Sequence, residues 1–504
     1  MSVSHPVIEE LLKKYKEISL LNHISATLNW DLNVNLPSKA SQSRSEQLGY
    51  LANAITEKWL DSDFRSLVEK AQAEKNLTKE EHAIVRNIGY ATKFYYNVPK
   101  KIIIKKEKIT SEAFPVWKQA REENDFKKFL PYLTEIIELN QEIAHRLTYK
   151  KNPYDALLDQ YEPELTAEEC QKMFDGLKTE LVKLMKKITT SKNYSDSVAF
   201  TNSNLHYPIE DQKKIINYVT HKMGFDFASG RLDTSPHPFT TALSHNDVRL
   251  TTHYNVRDFR DSYSSTVHEA GHGLYEQRID PKYAQTPLEG GVSLGIHESL
   301  SRFWENMVGK NPHFLKSITP LFQTLYNDQI GTVNEQTIIR SFNIVKPSLV
   351  RIYADEVSYS LHIILRFEME NELINGKLAA KDAPEAWREK SKTLLGVAPE
   401  TDKDGVLQDV HWTYGAIGYF PSYAIGNLYG AQFLHAMKKT MDVDNLLENG
   451  KLKPIKDWLD KHIHTHGSLY FPKELLVKAT GEELNYTYFL KYLNRKYSEI
   501  YDLK

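Results

Sequence analysis

Residues that interrupt helices are scarce in this chain: 22 glycines and 20 prolines among 504 residues. Inside a helix, relative to alanine, glycine costs about 1 kcal/mol and proline about 3 kcal/mol. A chain poor in both, and rich in Leu, Lys, Glu and Tyr, favours long helices over sheets. The apolar spacing agrees. Ile8, Leu11, Leu12 and Tyr15 recur at helical intervals, and residues 1–150 predict helix almost throughout. The polar stretch 29–37, ending in Pro37, predicts a loop or helix junction. A further helix is expected from Ser41 through Arg44, Gln47, Leu48 and Leu51. The lysines of 100–106 read as the solvated side of an apolar-faced helix rather than a membrane patch. Leu165-Thr166-Ala167-Glu168-Glu169 reads as an N-cap and first turn. Strand signals are local: 236–241 and 247–254 alternate and are β-branched. An edge of such a sheet could take a peptide by strand addition.

Several function classes drop out on composition. A formal net charge of −2 gives no basic footprint for nucleic acid. No run approaches the roughly 18 apolar residues of a membrane span. The single cysteine, Cys170, excludes an intrachain disulfide and suits a reducing compartment. The first ten residues show neither a basic nor an apolar leader region, so the expectation is a cytoplasmic enzyme. No Pro-, Gly- or Ser-rich linker and no repeat divides the sequence. It is read as one domain, 1–504, within which the helical residues 1–150 are lid-like.

The chemistry centres on His268-Glu269-Ala270-Gly271-His272. On a helix the two histidines lie one turn apart on one face, where both imidazoles can reach one Zn2+. Glu269 is rotated by about 100° from His268. It can stand beside the ion without binding it and take a proton from water. Val267, Ala270 and Leu274 supply an apolar side, which leaves the histidine face for the site. A third ligand is expected from 296–305. There Ile296, Leu300, Phe303 and Met307 form an apolar stripe, and Glu298 falls on the opposite side, with His297 as its rival. Two histidines and a glutamate leave one position open, as in catalytic zinc sites.

Two later stretches carry chemical side chains. Residues 350–356 predict a helix, in which Arg351 is most simply a surface or salt-bridged arginine. The 405–423 stretch is glycine-punctuated and holds His411, Tyr419 and Tyr423. Phenols there could donate to a developing oxyanion, or the aromatics could simply pack. His462, His464 and His466 alternate, but a helix end closed by Gly467 explains them better than a second metal site.

Taken in order, six motifs resemble the carboxypeptidase Taq family of metallocarboxypeptidases. They are His237-Pro238-Phe239, Asp247-Val248-Arg249-Leu250-Thr251, His268-Glu269-Ala270-Gly271-His272, His297-Glu298-Ser299, Val350-Arg351-Ile352-Tyr353-Ala354-Asp355, and Gly405-Val406-Leu407-Gln408-Asp409-Val410-His411-Trp412. Supporting likeness runs from Trp30-Asp31 and Tyr154-Asp155-Ala156-Leu157-Leu158 to Ala479-Thr480-Gly481-Glu482. One departure is Leu300, where the family commonly has Gln after His-Glu-Ser. The resemblance implies a mainly α, zincin-type fold with a deep central groove and a short β-sheet beside the metal helix. It implies a homodimer that removes single residues from peptide C-termini with one Zn2+ or Co2+ ion per chain. Carried over by motif, His268, His272 and Glu298 are ligands and Glu269 is the general base. Arg351 grips the substrate carboxylate, with His237 and Arg249 the next candidates. His411, Tyr419 and Tyr423 are candidates for substrate binding or oxyanion stabilisation. Two other readings stand beside it: an oligopeptidase cutting internal bonds, and a metal-stabilised helical scaffold. The scaffold would need a fourth protein ligand, for which His297 is the candidate.

Overall fold

The shortage of helix breakers is expressed as helix: 68% of the computed structural model is helical, beside one three-stranded sheet. It describes residues 3–195 and 204–503. The N-terminal helices are α1 (Pro6–Val34), α2 (Ser41–Trp59), α3 (Ser62–Ala73), α4 (Lys79–Asn97), α5 (Lys100–Glu123) and α6 (Phe126–Leu147). The expected break at 29–37 is shorter than the sequence suggested, because α1 continues through Asn29, Trp30 and Asp31 and ends at Val34. Trp30 is buried and lies beneath the guanidiniums of Arg249 and Arg231. That tertiary contact outweighs the weak local helix preference of Asn and Asp.

Next come α7 (Pro153–Leu158), α8 (Ala167–Thr189) and α9 (Ile209–Met223). Thr166 caps α8 in a reciprocal box with Glu169, as the sequence indicated. The sheet contains β1 (Gly230–Thr234), β2 (Thr240–Ser244) and β3 (Asp247–Thr252) in the order β1-β3-β2. Strand β3 runs parallel to β1 and antiparallel to β2. The first expected strand begins at Thr240 rather than 236, since Pro236 and Pro238 cannot donate to a ladder. β3 stops at Thr252, two residues short of the expected end. β1 carried no readable signal, because Gly230, Arg231 and Asp233 are poor strand formers.

Helix α10 (Phe259–Arg278) packs on β3. Helix α11 (Leu294–Arg302) runs into a π-helical turn over Phe303–Gly309. α12 (Pro312–Leu325), α13 (Asn327–Ile330) and α14 (Glu335–Phe342) follow. The helix expected at 350–356 is only a 3-10 turn, Arg351–Tyr353, with Ile352 and Tyr353 exposed. The remaining helices are α15 (Tyr359–Ile374), α16 (Ala383–Leu395), α17 (Pro421–Lys438), α18 (Val443–Glu448), α19 (Lys453–His462), α20 (Pro472–Thr480) and α21 (Thr487–Tyr501). α15 and α17 are buried around most of their circumference, and nearly all of the buried apolar residues form one cluster from Ile8 to Tyr501. Among the described residues no helix is long and apolar enough to cross a membrane.

Candidate active site

Helix α10 begins at Asp258, whose carboxylate accepts from the Arg260 N–H. Its apolar side sinks Val267, Ala270 and Leu274 into the core, leaving His268 and His272 together on another face with ring centres 5.0 Å apart. Helix α11 begins at Ser293, whose hydroxyl accepts from the Ile296 N–H at 3.1 Å. Ile296, Leu300, Phe303 and Met307 are all buried, and Glu298 projects from the other side. Two glycines let α11 sit close enough to its neighbours. A Cβ on Gly271 of α10 would lie 2.7 Å from Ser301 Cα, and one on Gly426 of α17 would lie 2.9 Å from Glu298 Cγ. Leu300 fills the apolar stripe with no exposed surface, so the position that departs from the family is served by packing alone.

Among the described residues, His268, His272 and Glu298 are the metal-ligating side chains that converge, with donor atoms within 4.8 Å of one another. Glu298 Oε2 lies 3.7 Å from His268 Nε2 and 3.6 Å from His272 Nε2. Donors bound tetrahedrally at zinc–ligand lengths stand about 3.3 Å apart, so a small inward adjustment suffices. The other nitrogen of each ring is occupied. His268 Nδ1 meets Glu305 Oε2 at 2.9 Å, and Glu305 is itself held by Lys310 at 2.6 Å and Arg302 at 3.3 Å. His272 Nδ1 meets His297 Nδ1 at 2.6 Å, and His297 Nε2 meets Glu276 Oε1 at 2.7 Å. With His297 neutral and its Nε2–H donated to Glu276, His297 Nδ1 accepts from the His272 Nδ1–H and the lone pair of His272 Nε2 faces Glu298. Such outer partners fix ring tautomer and orientation at metal sites. His297 thus spends both nitrogens elsewhere and does not close the open position.

The carboxylates around the rings favour positive charge at the centre. Burial, with His297 and His268 nearby, pushes His272 down to about 4, so its ring is neutral. Burial lowers His268 too, but Glu298, Glu305 and Glu269 raise it above its ordinary value. Burial opposes ionisation of Glu298, yet Arg302 and His268 hold it well below the usual carboxylate range. Glu269 is buried beside this set, and burial raises it. The Thr240 hydroxyl of β2 donates to Glu269 Oε2 at 2.6 Å, so the sheet edge positions this carboxylate.

Comparison with known proteins fits this arrangement. The model of the carboxypeptidase Taq (M32) metallopeptidase family matches residues 10–497. The chain belongs to that family. It is 39% identical to thermostable carboxypeptidase 1 of Pyrococcus furiosus, over 97% of this chain and 98% of the relative. It is 37% identical to carboxypeptidase 1 of Bacillus subtilis, over 99% of each. The solved apo-Mg structure of the Pyrococcus furiosus carboxypeptidase superposes with a TM-score of 0.95 at 39% identity, over 98% of this chain and 99% of that one. The M32 carboxypeptidase of Deinococcus radiodurans gives 0.95 at 33% identity, over 99% and 100%. The chain is therefore a metal-dependent carboxypeptidase, and neither the oligopeptidase nor the scaffold reading is retained.

Arg351 is buried. Its Nε donates to Asp409 Oδ1 at 3.0 Å and its Nη1 to the Tyr359 hydroxyl at 3.2 Å. Arg366 of α15 shares the same aspartate, Nε to Oδ2 at 2.6 Å, and also reaches Gln408 Oε1 at 2.7 Å. Two guanidiniums thus share one carboxylate, and the cluster keeps a spare positive charge. It connects to the donor triangle through Arg302, which bonds Glu298 at 2.7 Å and lies 4.3 Å over the Tyr359 ring. His411, Tyr419 and Tyr423 gather around it: His411 is 5.4 Å from Tyr419, and Tyr419 is 5.3 Å from Tyr423, between ring centres. Burial and then Arg351 push His411 down to about 4.

Two further sequence candidates lie on the sheet or just before one of its strands. His237 is exposed on the turn before β2, with Thr240 three residues on. Arg249 is paired with Asp247 at 2.8 Å and stacked 4.2 Å from the Trp30 ring, so it joins α1 to the sheet. His464 Nδ1 donates to Asp460 Oδ1 at 2.7 Å, an acid that the histidine spacing did not point to, and no metal cluster forms there among the described residues. Sequence reasoning assigned no role to Glu305, Glu276, Thr240, Arg302, Asp409 or Arg366. Only one group of these had a readable signal: Glu298, Arg302 and Glu305 follow one another at spacings of four and three on a helix.

Proposed function

We propose that His268, His272 and Glu298 hold one divalent ion, zinc first and cobalt second, and that Arg351 reads the free C-terminus of the peptide. The ion would supply Lewis acidity toward water and the scissile carbonyl. Glu269 takes the proton of the attacking water and hands it to the leaving amine. Its burial and raised proton affinity suit both halves of that task. The Thr240 hydroxyl keeps the carboxylate aimed. Tyr419, Tyr423 and neutral His411 provide donors for the carbonyl oxygen. Arg351 offers a planar, permanently charged fork to the carboxylate, and fixing that group sets the last peptide bond over the water. His237 and Arg249 remain secondary candidates for substrate contact.

The observation that carries this reading is the pairing of the donor triangle with a buried cluster of two arginines and one aspartate, joined through Arg302 and Tyr359. The rest of the reading concerns organisation. The chain works as one domain, 1–504, with 1–150 as its lid, supported by the continuous apolar cluster. It forms a homodimer with a deep groove, as the family resemblance implies. It acts in the cytoplasm, supported by its lone, buried, free cysteine. Mass spectrometry of a mixed peptide pool tests the function. Ladders shortened one residue at a time from the C-terminus, abolished by chelation and restored by Zn2+ or Co2+, are expected. Internal fragments, or full activity after verified metal removal, would defeat it.

A further inference from the structure

The Tyr154-Asp155-Ala156-Leu157-Leu158 stretch is used by none of the chemistry above, yet the segment it opens touches both ends of the site. At the substrate end, Tyr154 is fully buried, and its hydroxyl donates to Glu370 Oε2 at 2.7 Å. Glu370, on α15, is also fully buried. It accepts from the Trp412 indole N–H at 2.8 Å and from the Gly418 N–H at 3.0 Å. One carboxylate thus fastens two points of the loop that carries His411 and Tyr419. Arg366, one turn earlier on the same helix, fastens Gln408 and Asp409 at the loop's start. The fit is close: Gly418 has φ 93°, and a Cβ there would lie 2.8 Å from the Leu157 carbonyl carbon.

The same segment reaches the metal end eight residues later. Glu162 is fully buried, accepts from the Gly295 N–H at 2.9 Å, and accepts from the Tyr429 hydroxyl at 2.9 Å. It thereby satisfies a first-turn donor of α11, the helix that bears Glu298. A Cβ on Gly295 would lie 2.5 Å from Glu162 Oε2, so only glycine admits the carboxylate so near. Tyr161 spans both ends: its carbonyl accepts from the Leu294 N–H at 3.3 Å, and its ring meets Tyr419 edge-on at 5.3 Å.

We propose that segment 154–162 is a clasp that holds the substrate loop at one end and the metal-ligand helix at the other, with Glu370 and Glu162 as positioning residues at its two ends. Neither carboxylate touches substrate or metal; each acts through the backbone it holds. The proposal rests on the assignment of the Arg351–His411 region as the carboxylate-binding end, and its test separates the two.

Two equilibrium affinities are measured on the metal-free protein: for Zn2+, by competition with a chromophoric chelator, and for an N-blocked dipeptide acid, by calorimetry. Glu370→Gln turns an amide N–H toward a group that is already a donor, and Tyr154→Phe removes one donor with little change of shape. Both should weaken the dipeptide about tenfold, a fraction of what misplacement by an ångström costs a reaction, and leave Zn2+ affinity unchanged. Gly295→Ala and Glu162→Leu should weaken Zn2+ about tenfold, the lower end of what losing a ligand's outer support costs, and leave the dipeptide unchanged. Parallel losses of both affinities in all four variants, tracking their melting temperatures, would show a merely structural role and overturn the clasp, as would no change in either. Arg351→Ala gives the separating control. If it abolishes dipeptide binding while Tyr154→Phe leaves that binding intact, the clasp fails and the anchor stands. If it leaves binding intact while Tyr154→Phe weakens it, the anchor is elsewhere and the clasp stands.

Discussion

The proposed metal end and the proposed substrate end of this site are built on different principles. At the metal end the three candidate ligands come from two helices, and each helix is locally specified by its cap and apolar stripe. At the substrate end Arg351 sits on a single 3-10 turn, and its place is set by partners 58 and 8 residues away, Asp409 and Tyr359. A helix presents residues one turn apart at a known spacing whatever surrounds it. A turn presents nothing until distant charges close around it. The first end therefore takes its spacing from local structure, with ion pairs orienting its side chains, whereas the second depends on a buried ion-pair network for its place, and the two should fail differently.

The largest expected effect is at the metal end. Glu269→Gln should lower kcat by about 10²–10⁴ while metal content holds, since the amide keeps its shape but cannot accept a proton. Glu298→Gln should instead lose metal. Elemental analysis beside kcat on both variants separates the roles, and the reverse pattern would exchange them. At the substrate end, Asp409→Asn should destabilise the fold by about 3–5 kcal/mol, because it leaves two buried guanidiniums without their counter-charge. Denaturant unfolding measures this; a loss below about 1 kcal/mol, the range of surface pairs, would mean the network does not hold the turn.

A smaller effect sharpens the contrast. Glu305→Gln, which touches no proposed substrate group, should weaken metal affinity about 10–100-fold through the orientation of His268 and leave peptide affinity alone. A shift in peptide affinity instead would blur the two ends into one. The smallest expected effect is on pH. His411 takes a proton near 6.5 in the unfolded chain but only near 4 in the folded one. Between those values the unfolded state binds more protons, so stability falls as pH falls. Wild type should lose about 2 kcal/mol more than His411→Asn between pH 7 and pH 5. Urea unfolding at the two pH values checks this, and equal losses would contradict the burial of a neutral ring.

This contrast also explains what could be read from the sequence. The helical class, the His268–His272 face, the stripe opposite Glu298 and the Thr166 cap all depend on spacing within one element, and spacing is visible in a sequence. β1 was not visible, because Gly230 and Asp233 are poor strand formers in a five-residue run. The reach of α1 through Trp30 was not visible either, since Arg249 and Arg231 supply the reason from more than 200 residues away. Arg351 was visible as a motif residue but not as a buried one. Its environment is made by Asp409 and Arg366, whose approach no periodicity announces.

The central claim is that one end cuts and the other measures, so that only the last peptide bond is placed for hydrolysis. It is tested by cleavage of matched peptides with free-acid and amidated C-termini by wild type and Arg351→Ala. Loss of one partner from a desolvated pair costs roughly 2–5 kcal/mol. Wild type should therefore lose about 30-fold to several thousand-fold in kcat/KM on amidation. Arg351→Ala should lose a comparable factor on the acid peptide and be far less sensitive to amidation. Equal cleavage of acid and amide peptides by wild type would contradict the account. So would a selective loss that persists unchanged in Arg351→Ala, which would move the anchor away from the arginine cluster.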